Sequence, residues 1–169
     1  MKITGLTTYR KHIDLKDSHK MRSALGVNDG NEFVVLRLHT EEGIVGLGEA
    51  TITVRWSGEV PAGCEQVLNE VLQPAVIGLE IGDFDELNRR LDAVCSRNWF
   101  AKSAVEMACW DALGKAQEKP VYELLGGAVR PLRFENRFSL GAYTEKRARQ
   151  RAEELVSWGF RTIKVKVGT

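Results

Sequence analysis

Apolar and polar positions alternate along this chain with two different periods, and the changes of period mark out its elements. Phe160-Arg161-Thr162-Ile163-Lys164-Val165-Lys166-Val167 alternates residue by residue. Side chains of a strand repeat every two residues, so Ile163, Val165 and Val167 share one face while Thr162, Lys164 and Lys166 share the other. Upstream, Arg137–Leu140 reads as a short strand. Thr144–Trp158 reads as a helix with Ala148, Ala152, Leu155 and Val156 on one face, stopped by Gly159. Strand, helix and strand with short links make a βαβ unit, whose strands run parallel. Parallel sheets are covered on both faces or closed into barrels. Two lysines on one face therefore suit the C-terminal mouth of a (β/α) barrel, where that fold builds its active sites.

The preceding pattern is different. Lys2–Ile13 reads as a strand, and residues Asp14–Asn31 as a long loop without a period, ending in the turn Asn28-Asp29-Gly30-Asn31. Glu32–Thr40 and Ile44–Glu49 form a hairpin turning at Glu41-Glu42-Gly43. Thr51–Pro61 is a polar connection that exposes Trp56. A helix follows from Ala62, with Cys64, Val67, Leu68, Val71 and Leu72 at helical spacing, and Pro74 is expected to end it. Asp83-Phe84-Asp85-Glu86 has the form of a capping box and opens a helix carrying Leu87, Leu91 and Val94. The most apolar helix runs over Ser103–Gln117. Ala104, Val105, Ala108, Cys109, Ala112 and Leu113 share one face, with Met107 and Trp110 beside them, and the helix is expected to be largely buried. A short helix from Pro120 to Leu125 closes at Gly126-Gly127, and Arg130-Pro131 reads as a domain junction. The order of elements is that of an α+β domain in front of a barrel.

Composition narrows the functional classes. The 169 residues are 43% hydrophobic and 28% charged, as in a folded protein or part of one. The net charge of +1 comes from 24 basic and 23 acidic side chains, well mixed, which points to neither nucleic acid nor a charged membrane as partner. Cys64, Cys95 and Cys109 are odd in number, form no Cys-x-x-Cys pair and read as reduced core residues. No signal-peptide pattern opens the chain and no apolar run approaches about 20 residues, so a cytoplasmic location is expected.

The lysine strand carries the candidate chemistry. Held close together in a partly dry site, each ammonium disfavours the charge on the other, so one lysine is expected to titrate low enough to act as a base. Chemistry at the carbon next to a carboxylate uses such a pair, one lysine to move the proton and a second cation near the developing charge. Gly43, Gly46 and Gly48 lie between strands and in the wrong order for a dinucleotide loop, which is rejected. Asp111, on a packed helix, needs a partner; Lys115 one turn on is the candidate, and a structural role is preferred to a catalytic one.

Four segments together resemble the N-terminal part of an enolase-superfamily enzyme of the mandelate racemase and muconate lactonising type. They are Gly43-Ile44-Val45-Gly46-Leu47-Gly48-Glu49-Ala50; Ala104-Val105-Glu106-Met107-Ala108-Cys109-Trp110-Asp111 with Gly114-Lys115; Pro120-Val121-Tyr122-Glu123-Leu124-Leu125-Gly126-Gly127; and Lys164-Val165-Lys166. The resemblance implies an α+β capping domain over residues 1–127, then residues 128–169 as the first two strands and first helix of a (β/α)7β TIM-like barrel, incomplete in this chain. It implies an isomerase or lyase that removes the α-proton of a small-molecule carboxylate to form an enolate, acting as a cycloisomerase, racemase or epimerase. A sugar-acid dehydratase or a noncatalytic binding or assembly domain are the alternatives. Lys166 would be the acid/base, Lys164 the cation that keeps it poised, and Ser139 a substrate contact. The loops Asp14–Asn31 and Thr51–Gly58, with Trp56 in the second, would bear on substrate choice. The cofactor would be Mg²⁺, with its ligands on later strands and none here, and the whole would form a homo-oligomer.

Overall fold

The computed structural model describes residues 1–23 and 26–167. Its strands are β1 (Ile3–Asp14), β2 (Met21–Ser23), β3 (Gly26–Asn28), β4 (Gly30–Thr40), β5 (Val45–Ile52), β6 (Arg137–Leu140) and β7 (Thr162–Val165). Its helices are α1 (Val54–Ser57), α2 (Pro61–Gln66), α3 (Gln73–Val76), α4 (Phe84–Val94), α5 (Trp99–Ala116), α6 (Val121–Leu124) and α7 (Glu145–Ser157). Two units emerge: Met1–Ile13 with Asn31–Ala128, and Asp14–Gly30 with the chain from Val129 onward.

The first unit is a three-stranded sheet of order β1-β4-β5 covered by helices. β4 and β5 are antiparallel, with Val34 opposite Ala50, Leu36 opposite Gly48 and Leu38 opposite Gly46. Val34, Leu36 and Leu38 are fully buried, as the alternation predicts, and Gly43 turns the hairpin at φ 80°. Gly46 and Gly48 face α5. A Cβ at either position would collide with the backbone carbonyl of Ala108 or Ala104, so helix and strand lie in direct backbone contact. That close approach accounts for the two glycines without any ligand.

β5 is an edge strand of this sheet, and an edge leaves backbone groups without strand partners. α5 supplies them. Asp111 Oδ2 accepts the Leu47 N–H at 2.7 Å, and Lys115 Nζ donates to the Val45 carbonyl at 2.8 Å and to Asp111 Oδ2 at 2.6 Å. Asp111 is thus a structural clamp with Lys115 as its partner, as expected.

At the start of α4 the Asp83 carboxylate accepts the Glu86 N–H at 3.0 Å, as the capping pattern predicts. The return half of the box is absent. Glu86 is bound instead by Arg89 and Arg90, whose hydrogen bonds hold its carboxyl down at about 2. Burial pushes the Cys64 and Cys109 thiols up to about 12, which suits inert core residues.

Several boundaries differ from the pattern. Pro74 does not end its helix. Residues Val67–Leu72 form a π turn between α2 and α3, whose wider ring accommodates a proline that lacks an N–H, and the helix continues to Val76 before Gly78 at φ 79°. α5 starts at Trp99, four residues early, and Met107 remains 42% exposed on its outer side. Cys95 is the residue past the end of α4 and is half-buried. Among the described residues no helix is long and apolar enough to cross a membrane.

In the second unit β6 and β7 pair in parallel, from Arg137 opposite Thr162 to Leu140 opposite Val165, with α7 as the crossover and Gly159 at φ 90° after it. The Asp14–Asn31 segment is not an irregular loop. It holds a 3₁₀ turn at Asp17–His19 and the antiparallel hairpin β2–β3, whose three-residue strands are too short to show a period. The hairpin is tied to the link between β6 and α7. Ala142 N–H donates to the Arg22 carbonyl at 2.9 Å, and Tyr143 Oη to the Lys20 carbonyl at 3.0 Å. The His19 ring stacks on Trp158 and meets Phe138 edge-on, while the buried Arg151 guanidinium lies 4.8 Å from the centre of the Trp158 ring and 5.3 Å from that of Phe138.

The contact of β5 with α5 is directly testable. Gly48→Ala is expected to destabilise the fold by about 3 kcal/mol or more, because backbone cannot give way as a side chain can. Gly5→Ala, whose Cβ would meet only Gln73 Oε1 at 3.9 Å, is expected to stay within about 1 kcal/mol. Urea unfolding of the two variants distinguishes these outcomes, and equal effects would refute the close-packing account.

Candidate functional site

The parallel register of β6 and β7 places Ser139 opposite Lys164 and Arg137 opposite Thr162. Partners in register project to the same side, so these four residues share one polar face, and Phe138, Leu140, Ile163 and Val165 share the other. Leu140 and Leu155 of α7 are buried. The Lys166 N–H donates to the Leu140 carbonyl at 3.0 Å, which carries the ladder one residue beyond β7 and keeps Lys166 in phase with Lys164. The two lysines stand about 6.6 Å apart along the strand direction.

Lys166 is half-buried and Lys164 is exposed. The partly dry setting expected around both lysines is therefore not built at Lys164 by the described residues. Ser139 is half-buried, and Arg137 Nη1 donates to its hydroxyl at 3.4 Å.

A groove of about 510 Å³ opens at the C-terminal ends of the two strands, where a barrel's chemistry would sit. Val165 at the end of β7 and the following Lys166 and Val167 line it on one side, and Leu140 with the link to α7 on the other. Arg22 of β2 completes it. Among the described residues the groove is lined by two cationic side chains and no acidic one, a setting that favours an anion. Lys164 and Ser139 lie on the strand face but do not line this groove. Arg22 escaped the sequence reading because it is one cation in a polar segment, and only the hairpin register gives it a direction.

Trp56 belongs to the first unit. It rides on the single turn α1, closed by Gly58 at φ 76°, and is 82% exposed. Among the described residues no group of three or more His, Cys, Asp or Glu side chains converges on a point. The acids of α7 are engaged in part, Glu145 with Arg149 and Glu154 with Arg151. Mg²⁺ demands several oxygens near octahedral geometry. The described residues do not fit a Mg²⁺ site of their own.

Comparison with known proteins agrees with this architecture. Residues 6–126 match the family model described as mandelate racemase / muconate lactonizing enzyme, N-terminal domain. A hydrophobic dipeptide epimerase of Enterococcus faecalis is 32% identical over 173 residues, covering 100% of this chain and 46% of the relative. The structure of an Enterococcus faecalis dipeptide epimerase, complexed with Mg and the dipeptide L-Leu-L-Tyr, superposes with a TM-score of 0.92 at 30% identity, again over 100% and 46%. An L-Ala-D/L-Glu epimerase of Bacillus subtilis is 32% identical, over 99% of this chain and 45% of its own length. The structure of an N-succinyl Arg/Lys racemase from Bacillus cereus gives a TM-score of 0.94 at 27% identity, over 100% and 45%. The chain spans a little under half the length of these relatives. With an α+β sheet-and-helix unit matched over most of its length and a parallel βαβ unit later in the sequence, the chain belongs to the mandelate racemase / muconate lactonizing enzyme family and carries its N-terminal domain.

Proposed function

We propose that the protein carrying this chain is an isomerase or lyase of the enolase superfamily that removes the α-proton of a carboxylate to form an enolate, in an epimerisation, racemisation or cycloisomerisation. Residues 128–169 would carry the first two strands and first helix of its barrel, and the polar face of β6 and β7 would be part of the barrel interior. The observation that carries the proposal is the lysine strand in its parallel register, with Lys166 opening onto a groove that Arg22 makes more cationic and that no acid among the described residues lines.

In this reading Lys166 Nζ takes the α-proton, and Lys164, two residues earlier on the same strand face, supplies a second cation near the developing charge. Ser139, beside Lys164, would contact substrate, as would Trp56 on the α1 turn. Arg22 would take an anionic group of the substrate by a charge-assisted pair. The Mg²⁺ ligands would come from segments outside this chain, since the described residues offer no set that fits the ion.

Lys166→Ala in the full-length protein is expected to lower turnover by about 10²–10⁴-fold, the usual reach of a positioned acid/base, with Mg²⁺ affinity retained in titration calorimetry. Turnover within about tenfold of the parent would remove Lys166 from that role. Arg22→Ala is expected to raise KM by about 10–100-fold with kcat little changed, as for the loss of a charged hydrogen bond made equally to substrate and transition state. Steady-state kinetics that show an unchanged KM would exclude Arg22 as a substrate contact.

A further inference from the structure

α5 begins without a cap of its own. Arg97 and Asn98 are both left-handed, at φ 56° and 49°, and Asn98 Nδ2 is turned onto the Ser96 carbonyl at 3.0 Å and Cys95 Sγ at 3.2 Å. An ordinary N-cap is extended and folds its side-chain oxygen onto the second or third helical N–H, which Asn98 does not do. The acceptor comes instead from 41 residues earlier. Glu59 Oε1 takes the Phe100 N–H, the second of the helix, at 3.1 Å. The carboxylate also sits where the helix dipole favours negative charge. Its other oxygen, Oε2, is buried and has no hydrogen-bond partner among the described residues.

Glu59 is joined just as directly to the turn that precedes it. Its own N–H donates to Ser57 Oγ at 3.1 Å, the Ser57 N–H to the Thr53 carbonyl at 3.1 Å and the Gly58 N–H to the Val54 carbonyl at 2.9 Å. α1 has no buried residue, and Val54 and Trp56 are 50% and 82% exposed. Apolar packing therefore does little to place this turn. A continuous set of hydrogen bonds runs from the N-terminus of α5, itself set rigidly on β5, through Glu59 to the residues that present Trp56.

We propose that Glu59 is a positioning residue: by capping α5 from a distance, its carboxylate fixes the α1 turn and so sets how tightly the enzyme takes its substrate. The second half of this statement rests on the reading of Trp56 as a substrate contact.

The test uses the full-length protein and two readouts. Arg55 lies within the turn, so cleavage by trypsin after Arg55 reports its local opening. Glu59→Ala is expected to raise that cleavage rate by about tenfold or more, while Glu59→Gln, which keeps an acceptor oxygen, stays within about threefold of the parent. The same pair is expected to split in kinetics, with Glu59→Ala raising KM more than it lowers kcat and Glu59→Gln restoring most of the loss. Glu59→Asp, one methylene shorter, replaces Glu59→Ala if the latter does not fold. Unchanged cleavage in the alanine or aspartate variant overturns the positioning role whatever the activity. Faster cleavage with unchanged KM overturns the link to substrate, and an unchanged KM in Trp56→Ala as well traces that failure to the reading of Trp56.

Discussion

The first unit depends on one backbone-to-backbone approach, that of α5 onto β5. Strand and helix are usually separated by side chains, but here Gly46 and Gly48 leave no Cβ between them, and the carbonyls of Ala104 and Ala108 occupy the space. The helix answers with small residues on the same side, so Ala104, Ala108 and Ala112 are fully buried. Such an interface tolerates almost no adjustment, because native interiors are packed like crystals. It also resolves the edge of the sheet, where Asp111 and Lys115 pair with backbone of β5 that no further strand among the described residues meets.

That rigidity is passed on. With α5 fixed on the sheet, its N-terminus becomes a reference point for the Glu59 carboxylate and the turn before it. The helix buries a continuous apolar side at Ala101, Ala104, Val105, Ala108 and Ala112, while Trp99 at its first turn stays 65% exposed under the Lys102 ammonium. Lys102, only 7% exposed, buries its stem and reaches the solvent-exposed carboxylate of Asp92 on α4 at 2.6 Å, so its charge is paired.

The second unit is ordered by the two-residue period of its strands. One face of β6 and β7 turns to α7, and Phe138 shares the Arg151 guanidinium with Trp158. The same two rings receive His19, so the aromatic pair that anchors the crossover helix also holds the segment leading into β2. The cationic groove follows from this arrangement, since Arg22 reaches it only because the hairpin is pinned at Ala142 and Tyr143.

By itself, the sequence determined whatever is written in a local period or a short-range contact. The alternations of β4 and β7, the Asp83 cap, the turn at Gly43 and the Asp111–Lys115 pair involve residues a few positions apart, where side-chain direction is set by geometry alone, and the βαβ order follows from the sequence of such local patterns. The family resemblance was legible for a related reason, since its glycines and alanines answer one demanding contact. Tertiary structure decided the rest. Pro74 continues its helix because a π turn widens ahead of it, and α5 extends to Trp99 because Glu59, distant in sequence, caps it. Arg22 enters the groove because a hairpin too short to carry a period is held by hydrogen bonds to residues 120 and more positions away. No pattern over ten or twenty residues encodes such partners, because their effect is the satisfaction of a particular donor or charge that exists only once the distant elements have met.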